Sequence, residues 1–107
     1  MQYHGFEPYF AEATAANAVV DLGAPQAGKR WQIENIEFSY DGDPTIQANL
    51  TVRDGGVIVR KTNITTSGAG PLPINTRFSV DGSVDVTLSS AGVGILGCLN
   101  VSARQIS

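Results

Sequence analysis

The side chains that most often carry covalent or metal chemistry in proteins are scarce in this chain. His4 is the only histidine and Cys98 the only cysteine among its 107 residues. A Ser-His-Asp or Cys-His arrangement would therefore have to take its base from His4, close to the start of the sequence. A structural zinc site takes about four ligands and would need carboxylates for most of them. The sequence thus predicts no nucleophilic catalytic residue and no metal site.

The segment Gly92-Val93-Gly94-Ile95-Leu96-Gly97 has the letters of a dinucleotide-binding fingerprint. In that motif the glycines let a pyrophosphate approach backbone N–H groups at the start of a helix within a βαβ unit. Here the residues after Gly97 read as a strand, so the required helix is missing from the pattern. We interpret residues 92–97 as a glycine-rich turn, with Gly97 leaving space for a bulky neighbour. No cofactor is predicted.

Carboxylates are the remaining candidates for chemistry, and most of them fall in turn sequences. Asp41 and Asp43 bracket one turn and could give two oxygens to calcium, which takes six or more. We predict that they are turn formers. Glycosidases use a pair of carboxylates, and a sequence does not show which carboxylates are close in space. Because Asp54, Asp81 and Asp85 could form such a pair, a glycan hydrolase stays open as the least favoured alternative. The overall prediction is that the protein is not an enzyme.

The charge and cysteine content of the chain limit the classes of partner and the cellular setting that can be expected. Seven Lys and Arg against ten Asp and Glu give a net charge of −3, so no excess positive charge is available to neutralise phosphates, and no nucleic acid is predicted. The lone Cys98 cannot form an intramolecular disulfide, which fits assembly inside a cell. The first ten residues lack the features of a secretory signal, and no run approaches the roughly 18 apolar residues of a membrane span.

The elements that would position any site read as strands. Trp31 and Ile33 alternate with polar residues, and the apolar phase then slips to Ile36, Phe38 and Tyr40, as a β-bulge near Asn35 would produce. Core packing is the favoured role for Trp31, Phe38 and Tyr40, although a sugar-binding sheet face could instead expose Trp31 or Tyr40. Cys98, in an apolar strand, is expected to be a small buried side chain.

Further strands are separated by turn sequences. Asp54-Gly55 between two alternating runs predicts a β-hairpin. Residues 67–71 are predicted to be a loop and only residues 7–18 could hold a helical turn. The remaining predicted strands are a weak one at 16–22, an interrupted one at 72–80, one at 84–88 and a last one at about 94–106. Seven or eight short strands at this spacing predict an all-β sandwich or barrel.

Half of the chain's aromatic residues are crowded into its first ten positions. Tyr3, Phe6, Tyr9 and Phe10 lie there, outside the alternating pattern. We predict an N-terminal arm at 1–13 before a β-domain at 14–107, with the four aromatics docking on a partner. The open alternative is that the segment folds back as a lid on its own domain, since either kind of burial favours such residues. As an arm, residues 1–13 could be deleted without unfolding the domain.

The pattern from residues 27–31 through the Asp54-Gly55 hairpin to residues 84–89 and 94–97 resembles small jelly-roll virion proteins of tailed bacteriophages. The resemblance covers about residues 14–107. It implies a jelly-roll-like β-sandwich that decorates and cements the capsid exterior after assembly in the host cytoplasm. It also implies a homotrimer that clamps neighbouring major capsid proteins. The alternative within the same resemblance is a carbohydrate- or receptor-binding module of a phage fibre or baseplate.

Overall fold

The chain forms eight β-strands, in most of which apolar and polar residues alternate. The computed structural model describes residues 5–107, and at residues 68–71 it describes the backbone alone. No helix occurs in this described part of the chain, and so none there could cross a membrane. The strands are β1 (Glu7–Thr14), β2 (Ala18–Gly23), β3 (Arg30–Tyr40), β4 (Ala48–Asp54), β5 (Val57–Ile64), β6 (Gly68–Pro73), β7 (Val84–Leu88) and β8 (Leu96–Ile106).

The strands form two four-stranded antiparallel sheets that pack face to face. Sheet A has the order β1-β8-β3-β6 and sheet B the order β2-β7-β4-β5. The first strand pairs with the eighth, the second with the seventh, the third with the sixth and the fourth with the fifth. One long hairpin rolled onto itself gives this nesting, which is the jelly-roll form of the β-sandwich. The predicted all-β, jelly-roll-like fold is confirmed.

The innermost hairpin turns at the predicted place. Asp54 pairs with Val57, and the two residues between them, Gly55 and Gly56, have φ angles of 59° and 84°. A two-residue turn with positive φ at both positions matches the twist of the flanking strands, and glycine adopts that conformation without a Cβ clash. The Asp-Gly signal therefore predicted this turn correctly.

The bulge in β3 is also confirmed. Ile33 pairs with Ala103 and Asn35 with Ser102, so Glu34 is the extra residue. The bulge changes which side of β3 faces inward, and Trp31, Ile33, Ile36, Phe38 and Tyr40 are all buried as a result. They meet residues from sheet B in one core, whose fully buried members include Leu50, Val52, Val84, Val86, Leu88 and Leu99. Each such side chain contributes about 1.5–3 kcal/mol by leaving water.

Residues 7–14 form a strand, neither a free arm nor a helical turn. β1 pairs with β8 over its whole length, from Glu7 opposite Ala103 to Thr14 opposite Leu96. Tyr9, Ala11 and Ala13 point to the core, and the residues between them point outward. The sequence of β1 does not show the alternation typical of a strand, because two of its inward positions carry small alanines while its outward positions include Pro8 and Phe10.

The predicted loop at 67–71 lies almost wholly in β6, and the predicted strand at 72–80 ends at Pro73. β6 is an edge strand, where proline is tolerated because one side of the strand needs no hydrogen-bond donor. Its pairing with β3 is irregular, since two residues, at 70 and 71, stand opposite Glu37 alone. Glycine and proline thus read as loop residues but occupy a bulged edge.

Candidate docking surface

The aromatic residues predicted to dock on a partner separate into two groups. Tyr3 lies outside the described residues, as does His4. Tyr9 is half-buried and meets Trp31 edge to face, with ring centroids 6.1 Å apart and planes at 88°. Burial raises the pKa of Tyr9, and the Glu7 carboxylate raises it further. Tyr9 therefore covers its own sandwich, as the lid alternative expects.

Phe6, Pro8 and Phe10 point the other way, onto the outer face of sheet A. Phe10 is 60% exposed, Pro8 is exposed and Phe6 is half-buried. The Arg104 guanidinium lies 4.4 Å from the centre of the Phe6 ring, in cation–π contact. Phe6 immediately precedes β1, and Pro8 and Phe10 lie within it, so the three residues are spaced by two along the chain. We call them the apolar stripe.

Polar side chains of β8 and β3 border the apolar stripe. The Nε of Arg104 donates to Oε1 of Gln32 at 2.8 Å, and the Ser102 hydroxyl donates to Oε1 of Glu34 at 3.1 Å. Asn100 stands opposite both Phe10 on β1 and Glu37 on β3. The surface therefore has the apolar stripe at the edge of sheet A and, next to it, the Arg104 guanidinium held by Phe6 and Gln32. The carboxylates of Glu34 and Glu37 lie on β3, farther from the edge.

Cys98 lies on the same outer face and is half-buried, which corrects the expectation of a fully buried side chain. Its Sγ is 3.8 Å from Oε2 of Glu12. Burial raises the pKa of the thiol, and the negative charge of Glu12 raises it further. A nucleophilic cysteine needs the opposite shift, because the thiolate is the reactive form.

Three of the candidate carboxylates accept hydrogen bonds at turns, whereas Asp85 lies within β7 with its Oδ1 3.9 Å from Nη1 of Arg53. Asp41 accepts the backbone N–H of Leu96 at 2.8 Å, and Asp81 accepts that of Gly28 at 2.7 Å. Asp54 accepts both the N–H and the hydroxyl of Ser79 at 2.9 Å. Within residues 5–107 no three or more His, Cys, Asp or Glu side chains come together as a metal site.

A pocket of about 370 Å³ lies where the β3–β4 connection meets the end of β5. Its walls are Pro44, Ile46, Gln47, Ala48, Asn63, Ile64 and Thr65. None of these side chains titrates near neutral pH, so they offer shape and amide hydrogen bonds without acid–base chemistry.

Trp31 and Tyr40 are core residues, as the favoured interpretation predicts, and they offer no sugar-binding platform. Both are almost fully buried. The Trp31 indole N–H donates to the carbonyl of Gly23 at 2.9 Å, and the Tyr40 hydroxyl donates to that of Ser89 at 2.7 Å. The predicted turn at residues 92–97 is shorter than expected, because Leu96 and Gly97 already belong to β8. Gly97 does leave space for a bulky neighbour as predicted, since a Cβ there would lie 3.0 Å from Cε1 of Tyr40.

Sequence reasoning missed Arg104 and Gln32, which complete the surface beside the apolar stripe. The contacts of Arg104 with Phe6 and with Gln32 depend on the pairing of β1, β8 and β3, strands that are far apart in sequence. One local signal was available: Phe6, Pro8 and Phe10 are spaced by two, as residues on one side of a strand are.

No family model matches the chain, and no curated protein matches it. Among solved structures, the crystal structure of PirA is similar over 89% of this chain and 92% of that one, with a TM-score of 0.53 and 8% sequence identity. A structure of CBM4 aligns over 91% of this chain and 82% of that one, with a TM-score of 0.43 and 11% identity. At 8% identity, the likeness to PirA shows the fold alone, a β-sandwich.

Proposed function

We propose that the chain is a structural virion protein that decorates and stabilises the capsid exterior of a tailed phage. The virion setting comes from the sequence resemblance, and the major capsid protein is its proposed partner. The observation that carries the binding part of the proposal is the apolar stripe, with Phe10 60% exposed at the edge of an ordered sheet. Attachment through this stripe needs no catalytic group.

The residue types around the stripe suit protein binding. Aromatic and arginine residues dominate the energetics of protein interfaces. Arg104 is held between Phe6 and Gln32 before any partner arrives, so little side-chain entropy is lost when it binds. Glu12 lies beside Phe10 on the same face of β1, and Glu37 lies beyond Asn100 on β3, so a partner groove with an apolar floor and a basic rim is favoured.

The test uses phage particles from which the gene for this chain has been deleted. Purified native protein should sediment with them, and Phe10→Ala should weaken the binding by about 30-fold or more, since an anchor of this type contributes 2 kcal/mol or more. Val19→Ala is the matched control, because Val19 is exposed on sheet B, away from the stripe. Equal retention of the two variants would overturn the docking role of the stripe.

One observation favours the alternative of a carbohydrate-binding module. An exposed ring beside an amide, as in Phe10 and Asn100, also suits the apolar and hydroxyl faces of a sugar. Washed intact host cells therefore form a second arm of the experiment. Binding to cells that Phe10→Ala abolishes, without binding to particles, would replace the capsid proposal with this alternative.

The homotrimer implied by the resemblance stays part of the proposal. A symmetric oligomer would present several copies of the apolar stripe at once, and multivalent attachment strengthens binding without any new contact. Light scattering after size exclusion measures the mass directly.

A further inference from the structure

The pocket between the β3–β4 connection and the end of β5 forms where two paired strands separate. Ala48 and Ile64 are the last pair of β4 with β5 on this side. The chain before Ala48 is held by a different part of the molecule, since the N–H groups of Thr45 and Ile46 donate to the carbonyl of Ala91 at 2.8 Å and 3.4 Å. A space of about 370 Å³ is left between the two separated segments.

The wall formed by the β3–β4 connection is fixed in place. The hydroxyl of Thr45 also donates to the carbonyl of Ala91, at 3.3 Å. Gly92 makes this close approach possible, because a Cβ at that position would collide with the Thr45 hydroxyl. A wall that already holds its position loses little conformational entropy when a ligand binds. The pocket is therefore preorganised.

The lining of the pocket combines buried apolar groups with exposed polar ones. Its buried or half-buried apolar residues are Pro44, Ala48 and Ile64. Three exposed polar side chains form no hydrogen bond with another residue in the described part of the chain, and these are Gln47, Asn63 and Thr65. Each amide offers two N–H donors and an acceptor oxygen, and the hydroxyl both donates and accepts.

We propose that this pocket binds a neutral sugar ring. A charged ligand is disfavoured, because it would leave water without meeting an opposite charge in the lining. A wholly apolar ligand is disfavoured too, because it would cover the amide and hydroxyl groups without satisfying them. A sugar meets both conditions, since its hydroxyls donate and accept while its C–H groups pack on the apolar residues. The volume also lies within the range of about 300–1,000 Å³ that is typical of small-molecule sites.

An extended peptide is also neutral and polar, but it fits this site less well. Peptides that add to a sheet use a row of backbone donors and acceptors along a strand edge. Here the groups on offer are side-chain amides and a hydroxyl around a concave apolar surface.

The sugar site does not rest on the proposed function. The pocket lies beside β4 and β5 of sheet B, whereas the apolar stripe lies on sheet A. Binding to phage particles through the stripe and binding of a sugar in the pocket are therefore measured separately, and either can fail without the other.

The first experiment titrates the native protein, labelled with ¹⁵N, with glucose, galactose and N-acetylglucosamine up to about 50 mM. This is well above the dissociation constant on the order of 1 mM expected for so small a ligand. At least one sugar should cause saturable shifts of the backbone amide signals of Gln47, Asn63 and Thr65. Glucuronate, which carries a charge, and cyclohexanol, which has a single hydroxyl, should bind at least about ten-fold more weakly than the best sugar.

Two results of this titration would overturn the proposal. One is the absence of saturable shifts at the pocket residues with all three sugars. The other is tighter binding of glucuronate, of cyclohexanol or of a capped triglycine peptide than of any sugar, which would assign the pocket to a different class of ligand.

The second experiment repeats the titration with variants of the polar lining. Asn63→Ala and Gln47→Ala should each weaken sugar binding by about 3- to 10-fold, the effect of losing one hydrogen bond. Asn75→Ala is the matched control, because Asn75 is also an exposed asparagine but lies in the β6–β7 connection. Native affinity in both pocket variants would overturn the proposal. Loss of sugar binding in Phe10→Ala, with native binding in Asn63→Ala, would also overturn it and move the sugar site to the apolar stripe.

Discussion

Gly97 has no side chain, and the space this leaves is taken by the Tyr40 ring and by Leu88. A Cβ at this position would lie 3.0 Å and 3.2 Å from two carbons of the Tyr40 ring and 3.3 Å from a methyl of Leu88. Tyr40 cannot easily move aside, because its hydroxyl is held by the carbonyl of Ser89. Gly97 therefore lets the Tyr40 ring pack directly onto the backbone of β8.

We expect Gly97→Ala to lower the free energy of unfolding by about 1–3 kcal/mol, the usual cost of overpacking a core. The gain from removing a flexible glycine, about 0.5–1 kcal/mol, is smaller. Urea denaturation measures the difference. Gly42→Ala is the control, since nothing lies within 4 Å of the added Cβ, and it should stabilise the protein by no more than about 1 kcal/mol. Similar values for both variants would mean that Tyr40 moves freely.

Tyr40 also predicts a pH effect. Burial raises the pKa of its phenol above the ordinary value of 10.0. Between the unfolded and the folded pKa the native state holds the proton more firmly, so stability is complete below about pH 10 and falls as pH rises further. Tyr40→Phe should lose about 0.5–1.5 kcal/mol at pH 7 with its hydrogen bond, yet decline less steeply above pH 10. Parallel declines of the two proteins would assign the alkaline loss to other groups.

Residue roles were predictable where period two is strong. Trp31 and Tyr40 alternate with polar residues and are core residues as predicted. Cys98 lies in a run of apolar residues, where no alternation shows which side faces inward. Its half-exposed position beside Glu12 follows from pairing with β1, a strand 86 residues away in sequence at that contact.

At the scale of elements, the hairpin, the bulge in β3 and the strands β7 and β8 follow from turn chemistry and alternation. β1 and β6 do not, for physical reasons that differ. In β1 the larger hydrophobic groups lie outside as well as inside, which removes the contrast between faces. In β6 the glycine and proline residues are compatible with a strand only because that strand is an edge.

β1 carries a clear prediction for truncation. Deleting residues 1–13 removes almost all of the strand, leaves β8 as an unpaired edge and uncovers the ring of Trp31 that Tyr9 contacts. We expect a loss of several kcal/mol, and a domain of this size loses about 4–8 °C in Tm for each kcal/mol. Thermal unfolding followed by circular dichroism measures it. The expectation of an unperturbed domain, based on a free arm, is replaced by this one.

Two point variants separate the roles within β1. Tyr9→Ala should lower the Tm, because it removes the ring that packs on Trp31, whereas Phe10→Ala should leave it nearly unchanged because Phe10 is mostly exposed. If truncation leaves the Tm at its native value, the pairing of β1 with β8 contributes nothing to stability and the segment is an arm after all.

At the scale of the whole molecule, both sheets share one core, so a single buried charge should unfold everything. Leu50, on β4, has no exposed surface. Leu50→Asp should abolish the β-sheet circular dichroism signal, since burying an unpaired carboxylate costs several kcal/mol against a total stability of about 5–15 kcal/mol. Ile46→Asp is the control at an exposed isoleucine four residues earlier, and its spectrum should stay native. A folded Leu50→Asp protein would mean that the core tolerates water at its centre.

The candidate surface was predictable only in part, because it is a property of the assembled sheet. The sequence singles out Phe6 and Phe10 as unusual, and both belong to the surface. It does not show that Arg104 lies on Phe6, since that contact joins the two ends of the chain and exists only after β8 pairs with β1. Long-range pairing of this kind leaves no local pattern.

The position of β8 in the interior of sheet A governs when the protein can fold during synthesis. β1 leaves the ribosome before the other seven strands, yet its hydrogen-bonding neighbour is the eighth, and β8 also separates β1 from β3. Until Leu96–Ile106 emerges, sheet A is split and the exposed faces of β1 and β3 depend on the ribosome or on chaperones for protection. Nascent chains arrested before Leu96 should be cut rapidly by protease, and chains released after Ile106 should resist it. Folding of this jelly roll therefore has to wait until β8 has been made, and a protease-resistant chain arrested short of β8 would contradict that order.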